Sequence, residues 1–148
     1  MSVRKKLFIA LLVFIVAASG LIWYIFTEKF SDTAISKADY AVEAASLIKE
    51  FQLNDSLANK KYTEKIITVN GIVSELEMAD TTANIKMADS TTGDYLIFAF
   101  QPQHLAETKT IKKGDQVSIR ASCSGGTYSE ILETRYVSFK RAALIHKQ

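Results

Sequence analysis

The chain has 148 residues, enough for one domain of ordinary size or a small domain with an appendage. Its formal charge of +2 rests on Arg4, Lys5 and Lys6, which precede an apolar block; from Thr27 onward 15 Lys/Arg face 16 Asp/Glu. That balance argues against a domain built to hold polyanions, which carries a clear basic excess, and a single cysteine, Cys123, excludes an internal disulfide or a cysteine metal cluster.

Leu7 to Phe26 runs for 20 residues without a charge. As a helix rising about 1.5 Å per residue it spans the roughly 30 Å hydrocarbon core of a bilayer. Trp23 and Tyr24 stand near its far end, where amphipathic rings favour the interface. A cleaved signal peptide is the rival, with Ala17-Ala18-Ser19-Gly20 as a small-residue site, but apolar sequence resumes directly after it. A lipoprotein would need a cysteine just past the block, and Cys123 lies far downstream. The sequence therefore reads as an uncleaved anchor. Arg4-Lys5-Lys6 is cationic while Glu28 and Lys29 cancel, so the N-terminus is expected in the cytoplasm and residues 30 onward outside. Residues 1–6 are then a basic flank, 7–26 a transmembrane anchor, 27–62 a linker with amphipathic helices, and 63–148 the folded domain.

Within Phe30 to Phe51 a helix is expected, capped by Ser31 or Ser36 with Asp39 in its first turn. Tyr40, Ala44, Leu47, Ile48 and Phe51 make one apolar stripe, opposite Lys37, Glu43, Lys49 and Glu50. The stripe packs against its own domain or, on the rival reading, docks a partner. Asn54-Asp55-Ser56 breaks the run and caps a second short helix through Lys61. From Lys65 the period changes to two. The first strand is KIITVNGIVSEL, with Ile67, Val69, Gly71 and Val73 on one face and Gly71 read as a bulge or bend.

A polar loop, Glu77 to Thr82, leads to a strand in which Ala83, Ile85 and Met87 alternate with Asn84 and Lys86. Asp89 to Asp94 (DSTTGD) is turn chemistry, and Tyr95 to Phe100 is a third strand with Leu96, Phe98 and Phe100 on one side. Pro102 opens one or two helical turns through Thr108. A fourth strand follows the Lys112-Lys113-Gly114-Asp115 turn, with Val117, Ile119, Ala121 and Cys123 on one face. Gly125-Gly126 reads as the next turn, Glu130 to Phe139 as the fifth strand, and Ala142 to Ile145 as a short end that covers an edge or frays.

Three strands, a short helix and two strands behind N-terminal helices are the pattern of a mainly β, five-stranded OB-fold, a partly open Greek-key barrel. Ala58-Asn59-Lys60-Lys61-Tyr62 with Lys65 to Val73 resembles the opening motif of the tRNA_anti-like (tRNA-anticodon-binding-like) OB family. Ile111 to Val117 and Ala121-Ser122-Cys123-Ser124-Gly125 resemble its fourth-strand motif. The resemblance covers roughly Tyr40 to Phe139. It implies a bacterial envelope protein, here a single-pass protein of the inner membrane, and brings no catalytic residue set. The chain departs from the lipid-anchored pattern by lacking an acylatable N-terminal cysteine.

No sequence pattern demands a cofactor or a metal. His104 and His146 lack ligand-spaced neighbours and read as solvated surface histidines. Cys123 falls on an apolar strand face and reads as a small buried hydrophobe rather than a nucleophile. Glu75 and Glu77 share strand parity without an acid–base partner, so they read as a solvated edge. Gly125-Gly126 is no phosphate loop, and no G-x-S-x-G elbow occurs.

OB barrels bind oligonucleotides or oligosaccharides across their second and third strands and the adjoining loops. Lys86, Tyr95, Arg120, Tyr128 and Arg135 are the outward candidates for such a face, as rings that stack and cations that hold phosphate or carboxylate. The expected function is a membrane-anchored, extracytoplasmic, non-enzymatic binding module whose ligand is a glycan, a peptide or an envelope protein. Single-stranded nucleic-acid binding is the alternative, carried by fold analogy.

Overall fold

The computed structural model describes residues 2–27 and 31–148, and the chain divides between Ser31 and Asp32 into two units. The first contains α1, Val3–Thr27, 25 residues long with a mean hydropathy of 2.5 in its most apolar window. At about 1.5 Å per residue that is roughly 37 Å, enough to cross a membrane. The Ser19 and Thr27 hydroxyls donate to the Ile15 and Trp23 carbonyls one turn back, so both stay satisfied inside the helix. The helix is a candidate membrane anchor or signal sequence. The expected cancelling charges Glu28 and Lys29, and Phe30 at the head of the stretch read as helical, lie outside the described residues.

The second unit runs β1 (Tyr40–Glu43), α2 (Ala44–Leu53), α3 (Asp55–Tyr62), β2 (Ile66–Ile72), β3 (Glu75–Met78), β4 (Ala83–Ala88) and β5 (Tyr95–Phe100). A 3₁₀ turn (Pro102–His104), α4 (Leu105–Thr108), β6 (Gln116–Ser129) and β7 (Thr134–Lys147) complete it. The strands pair in the order β1-β2-β6-β7-β5-β4-β3. The β1–β2 and β5–β7 pairs are parallel, and the other four are antiparallel.

The expected five-stranded barrel is thus corrected to a sheet of seven strands. One added strand comes from breaking the long first strand at Val73-Ser74. Val73 exchanges backbone bonds with Gly114 and Asp115, whereas the Ser74 N–H donates to the Lys86 carbonyl, so the chain changes neighbours within two residues. Its halves, β2 and β3, then pair with β6 and β4 respectively.

The other added strand is β1, where a helix was expected. The Asp39 N–H donates to the Ile66 carbonyl at 2.7 Å, and the Asp39 carboxylate accepts the Ile66 N–H at 2.9 Å. The acid expected in a helix's first turn therefore opens a parallel strand instead. The helix begins at Ala44, with Glu43 and neither Ser31 nor Ser36 at its N-cap. The rest of the stripe holds: Ala44, Leu47, Ile48 and Phe51 are buried, and Tyr40 packs edge-on against Tyr62 at 5.2 Å. The second helix is capped as expected, the Asn54 side chain accepting the Leu57 N–H.

Inside, Ile67, Val69, Ile85, Leu96, Phe98 and Ile119 have no exposed surface, and the rings of Phe98 and Phe139 stack at 4.6 Å. Leu47, Phe51 and Tyr62 enter the same cluster from the helices. Gly71 is not a bulge, since the β2–β6 register is unbroken from Ile66 to Ile72. Its role is close approach: a Cβ there would stand 2.7 Å from both Ala44 Cβ and Met87 Sδ. Gly125-Gly126 is not a turn either. Both lie inside β6, which bulges between Cys123 and Gly125, and the chain reverses at residues 130–133. The end of the chain does not fray, because Ala142 and Ala143 are fully buried in β7.

Candidate ligand-binding site

The Gly71 contact seats the start of α2 almost on the sheet, and beside it opens a cavity of about 420 Å³. Ala44, Ala45 and Ile48 of α2 form one wall, Gly71, Ile72 and Met87 the apolar floor, and Asp89 and Ser90 the far rim. A second cavity of about 280 Å³ adjoins it, reaching Ser118 and Gln148. Glu43, Asn70 and Gln116 line both, so the two form one cleft.

Register builds its polar side. Glu43, Asn70 and Ser118 are directly opposite one another across β1, β2 and β6. Asn70 Nδ2 donates to Glu43 Oε1 at 3.1 Å, and Ser118 Oγ donates to Asn70 Oδ1. Among the described residues, no Lys or Arg lines either cavity. The cleft therefore offers carboxylates, carboxamides and hydroxyls over an apolar floor, a lining that suits a neutral or cationic polar ligand and repels a polyanion.

The five residues proposed from sequence fall into three places. Lys86 and Tyr95 are neighbours on the outer face of β4 and β5, with Lys86 Nζ 5.5 Å from the Tyr95 ring centre. Tyr95 stacks on Tyr136 at 5.8 Å. Lys86 is held by Glu77 at 2.6 Å and Glu75 at 3.2 Å. The bond from Glu77 raises its pKa, and the bond to Lys86 holds the Glu77 carboxyl below its usual range. The pair lies exposed on the edge strand β3, as read, and both carboxylates also pair with Lys86. Tyr128 and Arg135 face each other across β6 and β7, 5.7 Å apart. The Arg135 N–H donates to Asp94, and its guanidinium lies 3.7 Å from Asp55. Arg120 stands apart: it donates to Thr68 Oγ1 and to the Ala34 and Ser36 carbonyls, fastening the segment that precedes β1.

His104 is not a solvated surface histidine. It is 8% exposed, and its ring nitrogens meet Asp32 at 2.7 Å and Glu107 at 2.8 Å. His146 is exposed, opposite Ser118 in β7. Cys123 is fully buried, and burial pushes its thiol up to about 11. Among the described residues, no group of three or more His, Cys, Asp and Glu is placed to hold a metal ion.

Sequence reasoning missed Glu43, Asn70 and Gln116 as a set. The available signal was Gly71, a position without a side chain on the inner face of a strand, directly after the polar Asn70.

The family model described as tRNA_anti-like matches residues 1–133. Comparison with curated proteins finds no match. Among solved structures, a "putative nucleic acid-binding lipoprotein" from Klebsiella pneumoniae subsp. pneumoniae aligns with a TM-score of 0.58 at 17% identity, covering 80% of this chain and 100% of that one. The likeness is one of fold. A "putative aspartyl-tRNA synthetase" from Leishmania major aligns at 0.47 and 8% identity, over 82% of this chain and 22% of that one. OBody AM3L09, in its complex with hen egg-white lysozyme, aligns at 0.45 and 13%, over 60% and 88%.

Proposed function

The chain belongs to the tRNA_anti-like family, and we propose that it is a membrane-anchored, non-enzymatic binding module with an OB-type fold. In this reading α1 crosses the inner membrane with Arg4, Lys5 and Lys6 in the cytoplasm, and residues 32–148 lie outside. The ligand is a glycan or a peptide segment held in the cleft between α2, β2 and β6. One observation carries the assignment: carboxylates and carboxamides line the cleft over an apolar floor, with no Lys or Arg among its described lining residues. Hydroxyl-rich and amine-bearing ligands match that lining.

A chemical-shift screen of the full chain in micelles against glycans, peptides and oligonucleotides tests it. Asn70, Gly71 and Gln116 are expected to respond to a glycan or peptide. A response confined to oligonucleotides at Lys86, Tyr95 and Tyr136 would overturn it. Reporter fusions at Gln148 test the topology; an active cytoplasmic reporter would defeat the extracytoplasmic placement.

Single-stranded nucleic-acid binding is the second reading, supported by the stacked Tyr95–Tyr136 pair on the outer face and by the description of the Klebsiella neighbour. Against it stand the near-neutral charge beyond Thr27 and the capture of Lys86 by two carboxylates.

A further inference from the structure

Asp32–Ser36, which follows the apolar helix in the sequence, is held to the β-domain by three side chains. Gln101 Oε1 accepts the Thr33 N–H at 3.3 Å, Arg120 donates to the Ala34 and Ser36 carbonyls, and His104 meets Asp32. The imidazole has a carboxylate oxygen at each nitrogen, Asp32 at Nε2 and Glu107 at Nδ1. Both contacts are hydrogen bonds only when both nitrogens carry protons. A neutral ring turns a lone pair on one carboxylate. Glu107 is tied elsewhere, its second oxygen accepting the Leu144 N–H of β7. The other bonds Asp32 accepts, from the Ala34 N–H to its carboxylate and from the Ser36 hydroxyl to its carbonyl, lie within its own segment. Asp32 is therefore the contact a neutral ring gives up.

We propose that Asp32, His104 and Glu107 form a proton-dependent clamp that tightens the docking of residues 32–36 on the β-domain and loosens it when the imidazole loses its proton. Asp32 and Glu107 are the carboxylates that meet the ring; from β6, Arg120 holds the same segment. Burial opposes the charged ring, but the bonds from Asp32 and then Glu107 outweigh it and raise His104 above its ordinary 6.5. The bond to His104 holds Asp32 below its ordinary 3.8.

The sign follows. The hold of the clamp is complete below the pKa of a free histidine and is lost as pH rises through the raised pKa of the docked ring. At the acid end it fails as Asp32 protonates through its depressed pKa. Docking also buries Thr33 to 1% exposure with its hydroxyl unpartnered, which offsets part of the hold and keeps the segment close to release.

The test is NMR on the full chain in micelles from about pH 5 to 9, following the His104 ring nitrogens and amide exchange protection. Protection at Thr33 and Ala34 is expected to fall about tenfold or more as His104 titrates, while Ile119 and Val137 in the core are unchanged. In Asp32→Asn the His104 pKa should drop and the step should vanish. In His104→Gln protection of the segment should be low at every pH with the core intact. Level protection at Thr33 and Ala34 through the titration of His104, or an unaltered step in Asp32→Asn, would overturn the clamp.

Discussion

Asn59 grips the backbone of Gly126 with both ends of its carboxamide. Oδ1 accepts the Gly126 N–H at 2.8 Å and Nδ2 donates to the Gly126 carbonyl at 2.9 Å. This closes α3 onto β6 at the point where β6 bulges and its ladder to β7 is interrupted. The two glycines there answer separate demands. Gly125 has a φ of +106°, which side-chain-bearing residues rarely adopt, and a Cβ on Gly126 would lie 2.6 Å from the Phe51 ring. The family-like stretches around Asn59 and Gly125 thus meet in space as one joint between helix and sheet.

Removing that joint should cost stability without touching the cleft. Asn59→Ala leaves a partly buried N–H and carbonyl without partners, so unfolding should cost about 1–3 kcal/mol less than in the parent. Gly126→Ala should cost a similar amount by pushing on Phe51, about 1–3 kcal/mol of overpacking. Urea unfolding of both variants measures this, and a midpoint unchanged in Asn59→Ala would show the joint to be idle.

Gly71→Ala should disturb fold and cleft together. The added methyl meets Met87, whose thioether can swing away, and Ala44 Cβ, which is fixed to the helix backbone. A loss of about 1–3 kcal/mol is expected. Ala44→Gly in the same chain should return part of it, because it removes the rigid half of the clash. Additive losses in the double variant would mean the two residues do not press on each other.

What was legible in the sequence was whatever short-range chemistry decides. Asn54 caps α3, the DSTTGD turn joins β4 to β5, and Tyr95 to Phe100 alternates cleanly, and each stands where its residues indicated. What was hidden depended on distant partners. Tyr40, Ala44, Leu47 and Phe51 fit a helical spacing, yet the Asp39–Ile66 bonds give Tyr40 to a parallel strand. The bulges of β6 place Ala121, Ser122 and Cys123 all in the interior, so alternation fails where Gly125-Gly126 imitates a turn. His104 looked isolated because its carboxylates include one 72 residues away. The cleft was hidden for the same reason: Glu43, Asn70 and Gln116 converge only through strand register.

Cys123 should be inert in the folded protein. Its thiol is fully buried and its pKa is pushed up to about 11, so at neutral pH almost no thiolate forms. Alkylation by a thiol reagent should be negligible in the native state and rapid in denaturant. Cys123→Ser should lose about 1–3 kcal/mol, since the hydroxyl would need a partner in an apolar site. Fast native-state labelling would contradict this burial and reopen the thiol as a reactive group.

The outer face can be made to decide between the two functional readings. Lys86 is held by Glu77 and Glu75, and because the Glu77 carboxyl is depressed, this pairing is present above its unfolded pKa and is lost as pH falls through the lower one. Changing Glu75 and Glu77 to Gln at neutral pH frees the cation beside the Tyr95–Tyr136 stack. If this face binds single strands, oligonucleotide affinity should rise at low salt and fall steeply as salt is added. If the cleft is the site, the same double variant should leave glycan or peptide binding unchanged, whereas Asn70→Ala should weaken it. Fluorescence anisotropy with labelled oligonucleotides and titration with glycans and peptides measure the two effects on the parent and the two variants, and a strong salt-sensitive gain would move the site from the cleft to the sheet.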